Sequence, residues 1–321
     1  MKVSFVIPCY RSSHTISRVV DEIQETMEKS ERKDYEIILV NDSSPDDTFD
    51  AIQKLCASKT NIIGIDLSKN FGQHAAIMAG MHFASGDVVV CLDDDNQTPA
   101  NEVYKLLDKI DEGYDVVYAR YQQKQHSGLR NLGSRVNSIM TESLLNKPKE
   151  LYISSYFAAK RFVVDEMLQY KNAFPYVIGL VLRTTNKICN VDVKHRARED
   201  GKSGYTLKKL IGLWVNGFTS FSVKPLRTAT YFGFGIAFLG LIYAIITIIK
   251  KIVNPMVPVG WSSTMAAMLI LGGALLLVLG IIGEYIGRIY ICINNSPQYV
   301  IRSVLNAREE KTSSSDETMT A

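Results

Sequence analysis

Several absences narrow this 321-residue chain before any motif is considered. No C-x-x-C pair occurs, and the five cysteines (Cys9, Cys56, Cys91, Cys189, Cys292) are scattered and odd in number. That argues against a disulfide framework or a zinc site and for a reducing compartment. The formal net charge is only +3, too small to imply a nucleic-acid partner. There is no internal repeat. The Met1-Lys2 start enters a strand-like run at once, so no signal peptide is expected. With 46% apolar and 21% charged residues the chain is neither disordered nor collagen-like, yet it is oily for a soluble enzyme.

The oil is local, and it too shows as an absence. No charged residue occurs from Thr228 to Ile249, nor from Ile252 to Gly283, where the apolar core is Met265–Ile282. A helix over the first of these runs is roughly 33 Å long, against about 30 Å of bilayer hydrocarbon. Two such runs rarely fit inside one small soluble core, so two membrane spans joined by a short loop containing Pro255 and Pro258 are expected. Lys208, Lys209, Lys224 and Arg227 precede the pair, and Arg288 and Arg302 follow it. By the positive-inside rule both termini are cytoplasmic. Ahead of the spans, Leu207, Leu210, Ile211, Trp214, Phe218 and Phe221 recur at helical spacing, with Lys208 and Lys209 off the stripe. Ahead of a span this pattern suggests a helix lying in the membrane interface, and the plain alternative is an amphipathic helix packed on the domain. The tail after Ala307 is polar.

Residues 1–120 alternate strand and helix patterns. Val3–Ile7, stopped by Pro8, then Glu36–Val40, Ile62–Leu67, Val88–Leu92 and Asp115–Ala119 read as strands. Helices are expected over Ile16–Met27, 47–57 (opened by a Ser43–Asp47 turn rich in capping residues), Gln73–Phe83 and Asn101–Glu112. Such alternation predicts a mostly parallel α/β sheet, in which ligands bind at the carboxyl ends of the strands. Those ends carry Pro8-Cys9-Tyr10, Asn41-Asp42 and Asp93-Asp94-Asp95. The segment Asp93-Asp94-Asp95-Asn96-Gln97 follows a strand directly. Carboxylates at i and i+2 of an extended segment share one side, and hard divalent cations take oxygen ligands. Asp95 with Gln97 is thus a candidate Mg²⁺ or Mn²⁺ site, and the plain alternative is a solvated acidic turn capping the next helix.

Four motifs occur in order: Val6-Ile7-Pro8-Cys9-Tyr10, Val40-Asn41-Asp42-Ser43-Ser44-Pro45-Asp46-Asp47-Thr48, Lys69-Asn70-Phe71-Gly72 and the Asp93–Gln97 segment. With the C-terminal apolar pair, the series resembles the polyprenyl-phosphate glycosyltransferases, an inverting group that includes dolichol-phosphate mannosyltransferase and the undecaprenyl-phosphate aminoarabinose transferase. The resemblance runs to about Arg302. It implies a nucleotide-diphosphosugar-binding GT-A domain over residues 1–206, an interfacial segment at 207–225, a two-span hairpin at 226–290 and a cytoplasmic tail at 291–321. It also implies a nucleotide-sugar donor, UDP-linked in bacterial members, and a polyprenyl phosphate acceptor at the inner membrane; a homo-oligomer stays open.

Carried over residue by residue, Pro8 and Tyr10 line the base pocket, Asp42 meets the nucleoside, Asp93 and Asp94 serve the nucleotide sugar, and Asp95 and Gln97 hold the metal. For Asp42 the alternative is a cap on the following helix. The segment Arg198-Glu199-Asp200-Gly201-Lys202-Ser203-Gly204-Tyr205 resembles a phosphate-binding loop of the group, placing Arg198, Lys202, Ser203 and Tyr205 on phosphates, with Arg130 beside the acceptor. Asp95, Arg198 and Arg130 are then the catalytic candidates. The chain departs from the group at Asn96, at Gly204 and at Ser155-Tyr156-Phe157, where many members carry Asp-Phe-Arg. A base role for that acid does not transfer. A lipid phosphate is already ionised near neutral pH, so alignment and charge neutralisation carry the chemistry. A processive synthase would show Gln-x-x-Arg-Trp and more spans, and neither is found. A non-catalytic sugar-binding scaffold would have no need of the Asp93, Asp95 and Gln97 set.

Overall fold

Short buried strands and helices alternate through the first 121 residues. In the computed structural model, residues 1–121, 147–194, 224–253, 260–294 and 296–307 are described. They fall into two units. One comprises Met1–Gly128, Pro148–Lys202 and Pro297–Ala321; the other comprises Leu129–Lys147 and Ser203–Ser296.

The first unit carries an eight-stranded sheet. Its elements in chain order are β1 (Val3–Cys9), α1 (Ile16–Lys29), β2 (Tyr35–Asn41), α2 (Thr48–Ser58), β3 (Ile62–Leu67), α3 (Gln73–Phe83), β4 (Val88–Cys91), α4 (Val103–Asp111), β5 (Val116–Tyr121), β6 (Phe157–Lys160), α5 (Arg161–Leu168), α6 (Val177–Thr184), β7 (Ile188–Val193) and, after the second unit, β8 (Ile301–Leu305). The strand order is β7-β5-β6-β4-β1-β2-β3-β8. Strands β4, β1, β2 and β3 are mutually parallel, as are β5 and β7. Strand β6 runs antiparallel to β4 and β5, and β8 antiparallel to β3.

The period-two pleat sorts β1 between two layers. Val3, Phe5, Ile7 and Cys9 join a core with Ile16, Val19, Val20, Ile23 and Met27 of α1. These five are the α1 residues expected to face inward, and burying them supplies roughly 10 kcal/mol of gross hydrophobic driving force. On the other face Val6 meets α3, where Ala75 to Met81 are buried without a break. At Gly80 any Cβ would lie 2.5 Å from Val6 Cγ1 and 3.1 Å from Val40 Cγ2, so only glycine lets α3 lie this close to the sheet.

Four expectations need correcting. Pro8 does not end β1, which continues to Cys9 and stays paired with β2. Leu92 N donates to Val6 O, so even-numbered β1 backbone groups face β4, and β4 stops at Cys91 opposite Val6. The missing N–H of Pro8 therefore has no ladder bond to lose. The helix expected from Asn101 opens as a 3₁₀ turn at Ala100–Glu102 before α4. The strands β6, β7 and β8 had no counterpart in the alternating pattern. Finally, residues 291–321 are not only a tail, since Val300 O accepts from Ser68 N at 2.8 Å and β8 completes the sheet edge.

In the second unit, α7 (Lys224–Val253) and α8 (Trp261–Ile293) are 30 and 33 residues long and touch one another. Among the described residues one stretch, Ile270–Ile293 of α8, is long and apolar enough to cross a membrane; the apolar part of α7, Ala229–Tyr243, is shorter. Bulky side chains on both are open, with Phe234 74% and Leu276 72% exposed.

Candidate active site

Strand order reverses at β1, whose chain successor β2 lies on one side and β4 on the other. This switch point is where loops at the carboxyl ends part to admit a ligand. Three of the four described non-glycine residues with left-handed backbone stand on these loops: Arg11 after β1, Ser43 after β2 and Asn96 after β4. Backbone held in that sparsely populated region marks loops whose shape is fixed by their surroundings.

The β1–α1 loop is pinned from two sides. Tyr10 N donates to Asp94 Oδ2 at 2.9 Å, crossing the switch point. Arg11 N donates to Ser44 Oγ at 2.8 Å, Ser12 N to Thr48 Oγ1 at 2.9 Å and Ser13 N to Asp46 Oδ2 at 3.4 Å. Burial raises the Asp46 pKa, but hydrogen bonds from Ser44, Thr48 and Ser13 outweigh it and hold the carboxyl well below the usual range. The capping-rich Ser43–Asp47 turn thus ties two loops together, and Asp47 makes no side-chain cap to α2. Pro8 is buried, whereas Tyr10 is exposed with the Arg11 guanidinium 5.5 Å from its ring centroid.

Asp42 is buried and its carboxylate is engaged. Oδ1 accepts from Phe71 N at 2.7 Å and Oδ2 from Gly72 N at 2.9 Å. Burial pushes its pKa up and the two N–H donors oppose that rise. These bonds are to the Lys69–Gly72 loop and not to the start of α2, so Asp42 is not a cap on that helix. Asp42 holds the Lys69–Gly72 loop, where Gly72, at φ 90°, turns the chain into α3.

The acidic triplet divides its labour. Asp93 accepts from Gln73 Nε2 at 2.9 Å and from Ser155 Oγ. Asp94 faces the β1–α1 loop through Tyr10 N. Burial pushes the Asp94 carboxyl up to about 6, the Tyr10 N–H opposes, and the Asp93 and Asp95 charges add to the rise. Asp95 Oδ1 accepts from Gln97 N at 3.1 Å around the left-handed Asn96. The segment is therefore a bonded structure and not a merely solvated turn. Among the described residues no group of three or more His, Cys, Asp or Glu side chains forms a metal cage. The oxygen donors of Asp95 and Gln97 have the chemistry a hard divalent cation takes when a substrate completes its shell.

Arg130, Arg198, Lys202, Ser203 and Tyr205 lie outside the described residues, as does the Leu207–Phe221 stripe with Trp214. Two residues at the site had no signal as ligands. Gln73 reads only as the first position of a helix, and Ser155 only as a departure. All five cysteines are unpaired, with Cys9, Cys56 and Cys91 buried.

A mostly parallel sheet with acidic, bonded loops at its switch point defines a GT-A-like glycosyltransferase fold. Residues 4–168 match the family described as Glycosyl transferase family 2, and residues 224–289 match the GtrB C-terminal hairpin. The chain belongs to glycosyl transferase family 2. It is 32% identical over 303 residues to an uncharacterized glycosyltransferase, YkcC, of Bacillus subtilis, covering 94% of each chain. It is also 32% identical over 314 residues to the undecaprenyl-phosphate 4-deoxy-4-formamido-L-arabinose transferase of Proteus mirabilis, covering 96% of this chain and 95% of the relative. Among solved structures, glucosyl-3-phosphoglycerate synthase from Mycobacterium tuberculosis in complex with Mn²⁺ and UDP-glucose is similar in fold. The TM-score is 0.51 at 20% identity, over 68% of this chain and 79% of that one.

Proposed function

We propose that this chain transfers one sugar from a nucleotide diphosphosugar, UDP-linked, to a polyprenyl phosphate on the cytoplasmic leaflet of the plasma membrane, inverting the anomeric centre. The observation that carries this reading is the Asp93–Gln97 segment bonded to the β1–α1 loop at the switch point, in a chain whose full-length relatives include undecaprenyl-phosphate sugar transferases. The catalytic unit is residues 1–206, followed by an interfacial segment at 207–225 and a membrane hairpin at 226–290.

Two facts support a pair of spans. The open apolar side chains of α7 and α8 would be costly in water and suit lipid. Strand β8 follows α8 yet pairs with β3, which precedes α7. Strands of one sheet occupy one compartment, so the chain between them crosses a bilayer an even number of times. If Ile270–Ile293 spans, a second crossing is needed before it, and the 30-residue α7 is the helix that suits it. Basic flanks then place the sheet in the cytoplasm.

In this reading Tyr10, beside Pro8, offers the base a ring, and Asp42 shapes the Lys69–Gly72 wall of the same pocket. Asp93 reaches the ribose and diphosphate, and Asp94 keeps Tyr10 in place. Asp95 and Gln97 hold Mg²⁺ or Mn²⁺, which when bound neutralises charge on the departing diphosphate. Arg130, Arg198, Lys202, Ser203 and Tyr205 bring donors to the phosphates of donor and acceptor. A lipid phosphate oxygen attacks the anomeric carbon, the bond to the diphosphate breaks, and its electron pair leaves with the nucleoside diphosphate. No proton has to be removed, so the barrier falls by alignment and charge neutralisation. The test is a panel of labelled UDP- and GDP-sugars with the purified chain and undecaprenyl phosphate. Lipid-linked product from one donor is expected; no product from any donor would overturn the reading.

A further inference from the structure

The Asp93 carboxylate is held from both sides by neutral donors on separate elements. Gln73 Nε2 bonds Oδ1 at 2.9 Å, and the Ser155 hydroxyl bonds Oδ2. A carboxylate only accepts, so the hydroxyl donates.

Each donor is itself fixed. Gln73 opens α3, and the turn into that helix is set by Asp42, which takes the Phe71 and Gly72 N–H groups. Ser155 lies between two anchored neighbours just before β6. Ser154 Oγ donates to Ala119 O at 2.8 Å, and Tyr156 is fully buried with its hydroxyl 3.3 Å from Pro99 O. The two elements approach Asp93 from different parts of the chain, 20 residues before it and 62 residues after it.

We propose that Gln73 and Ser155 are a positioning pair for Asp93. They hold its carboxylate in one orientation toward the donor nucleotide, and Ser155 serves as a hydrogen-bond donor at a position where no proton acceptor is needed. The inference rests on the reading of Asp93 as a contact to the nucleotide sugar. Its chemistry is specific. A side chain that donates preserves the clamp, and one that cannot donate removes one of the contacts that hold the carboxylate. Holding a charged group in its productive geometry before binding removes an ordering cost from the binding step.

The test is titration of UDP, with Mn²⁺ at fixed concentration, onto the full chain in nanodiscs. Ser155→Ala and Gln73→Leu should each weaken UDP binding about tenfold, the scale of one hydrogen bond to a charged group. Ser155→Thr, which keeps a hydroxyl, should recover the affinity. In an Asp93→Ala background, Ser155→Ala should cause no further weakening, because both changes remove the same contact. Unchanged affinity in Ser155→Ala and Gln73→Leu, or losses that add fully in the Asp93→Ala background, would overturn the pair while leaving the nucleotide site intact. A wild-type chain that binds no UDP would overturn the site reading and the pair together.

Discussion

Asp94 makes a quantitative prediction because it sits between two demands. Its carboxylate anchors Tyr10 N across the switch point, yet burial and two neighbouring carboxylates oppose its charge. Its pKa stands at about 6 in place of an ordinary 3.8. At about 1.4 kcal/mol per pH unit that is roughly 3 kcal/mol, and about 2 kcal/mol once solvent screening of a partly exposed group is allowed for. The folded chain binds this proton more tightly than the unfolded chain. Stability therefore falls as pH rises from about 4 to 6, and the whole cost is present above that. Asp94→Asn removes the charge while its amide oxygen still accepts from Tyr10 N. The variant should unfold about 4–8 °C higher than wild type at pH 7.5, by the usual scaling for a domain of this size, and the gain should shrink toward zero by pH 4. Thermal unfolding of both chains in detergent across that range is the assay. A variant no more stable at pH 7.5, or a gain that persists undiminished at pH 4, would refute the argument from burial and like charge.

Three further outcomes are expected. Asp95→Asn should abolish Mg²⁺- or Mn²⁺-dependent transfer with the fold intact, and wild-type activity undiminished in excess chelator would count against the assignment. A cysteine placed at Val257 should be labelled by an impermeant reagent from outside the cell and one at Ser315 should not; external labelling of Ser315 would reverse the orientation. Gly80→Ala should cost about 1–3 kcal/mol of stability, measured by denaturant unfolding, because its Cβ would meet Val6 Cγ1 at 2.5 Å.

The first 121 residues were legible because their elements carry local signals. The α1 stripe of Ile16, Val19, Val20, Ile23 and Met27 has helical spacing, and Ile62–Leu67 and Gln73–Phe83 coincide with β3 and α3. Strands β6 and β8 were not legible. Strand β6 is four residues long, and β8 pairs with a strand more than 230 positions earlier, a separation no local pattern encodes. At the site, spacing identified the acidic triplet but could not divide its roles. Asp94 turns to Tyr10, and Asp42 is taken up by Phe71 and Gly72, because unpaired main-chain N–H groups nearby claim those oxygens. Gln73 and Ser155 meet only through the tertiary fold, so neither announces itself in sequence.

The late return of β8 has a consequence for biosynthesis. Its residue Arg302 bonds Asp66 on β3, 236 residues upstream, and Asn306 Nδ2 reaches Cys56 O at 2.7 Å. At about 5–20 residues per second, a ribosome needs roughly 10–50 s to deliver Arg302 after Asp66. Through that interval the outer edge of β3 stands open, with the unpaired main-chain groups that invite wrong partners. Both long helices leave the exit tunnel before the strand that closes the edge. The sheet is therefore completed only after both long helices have been made, and a chain stalled between the two carries an unfinished, association-prone catalytic unit.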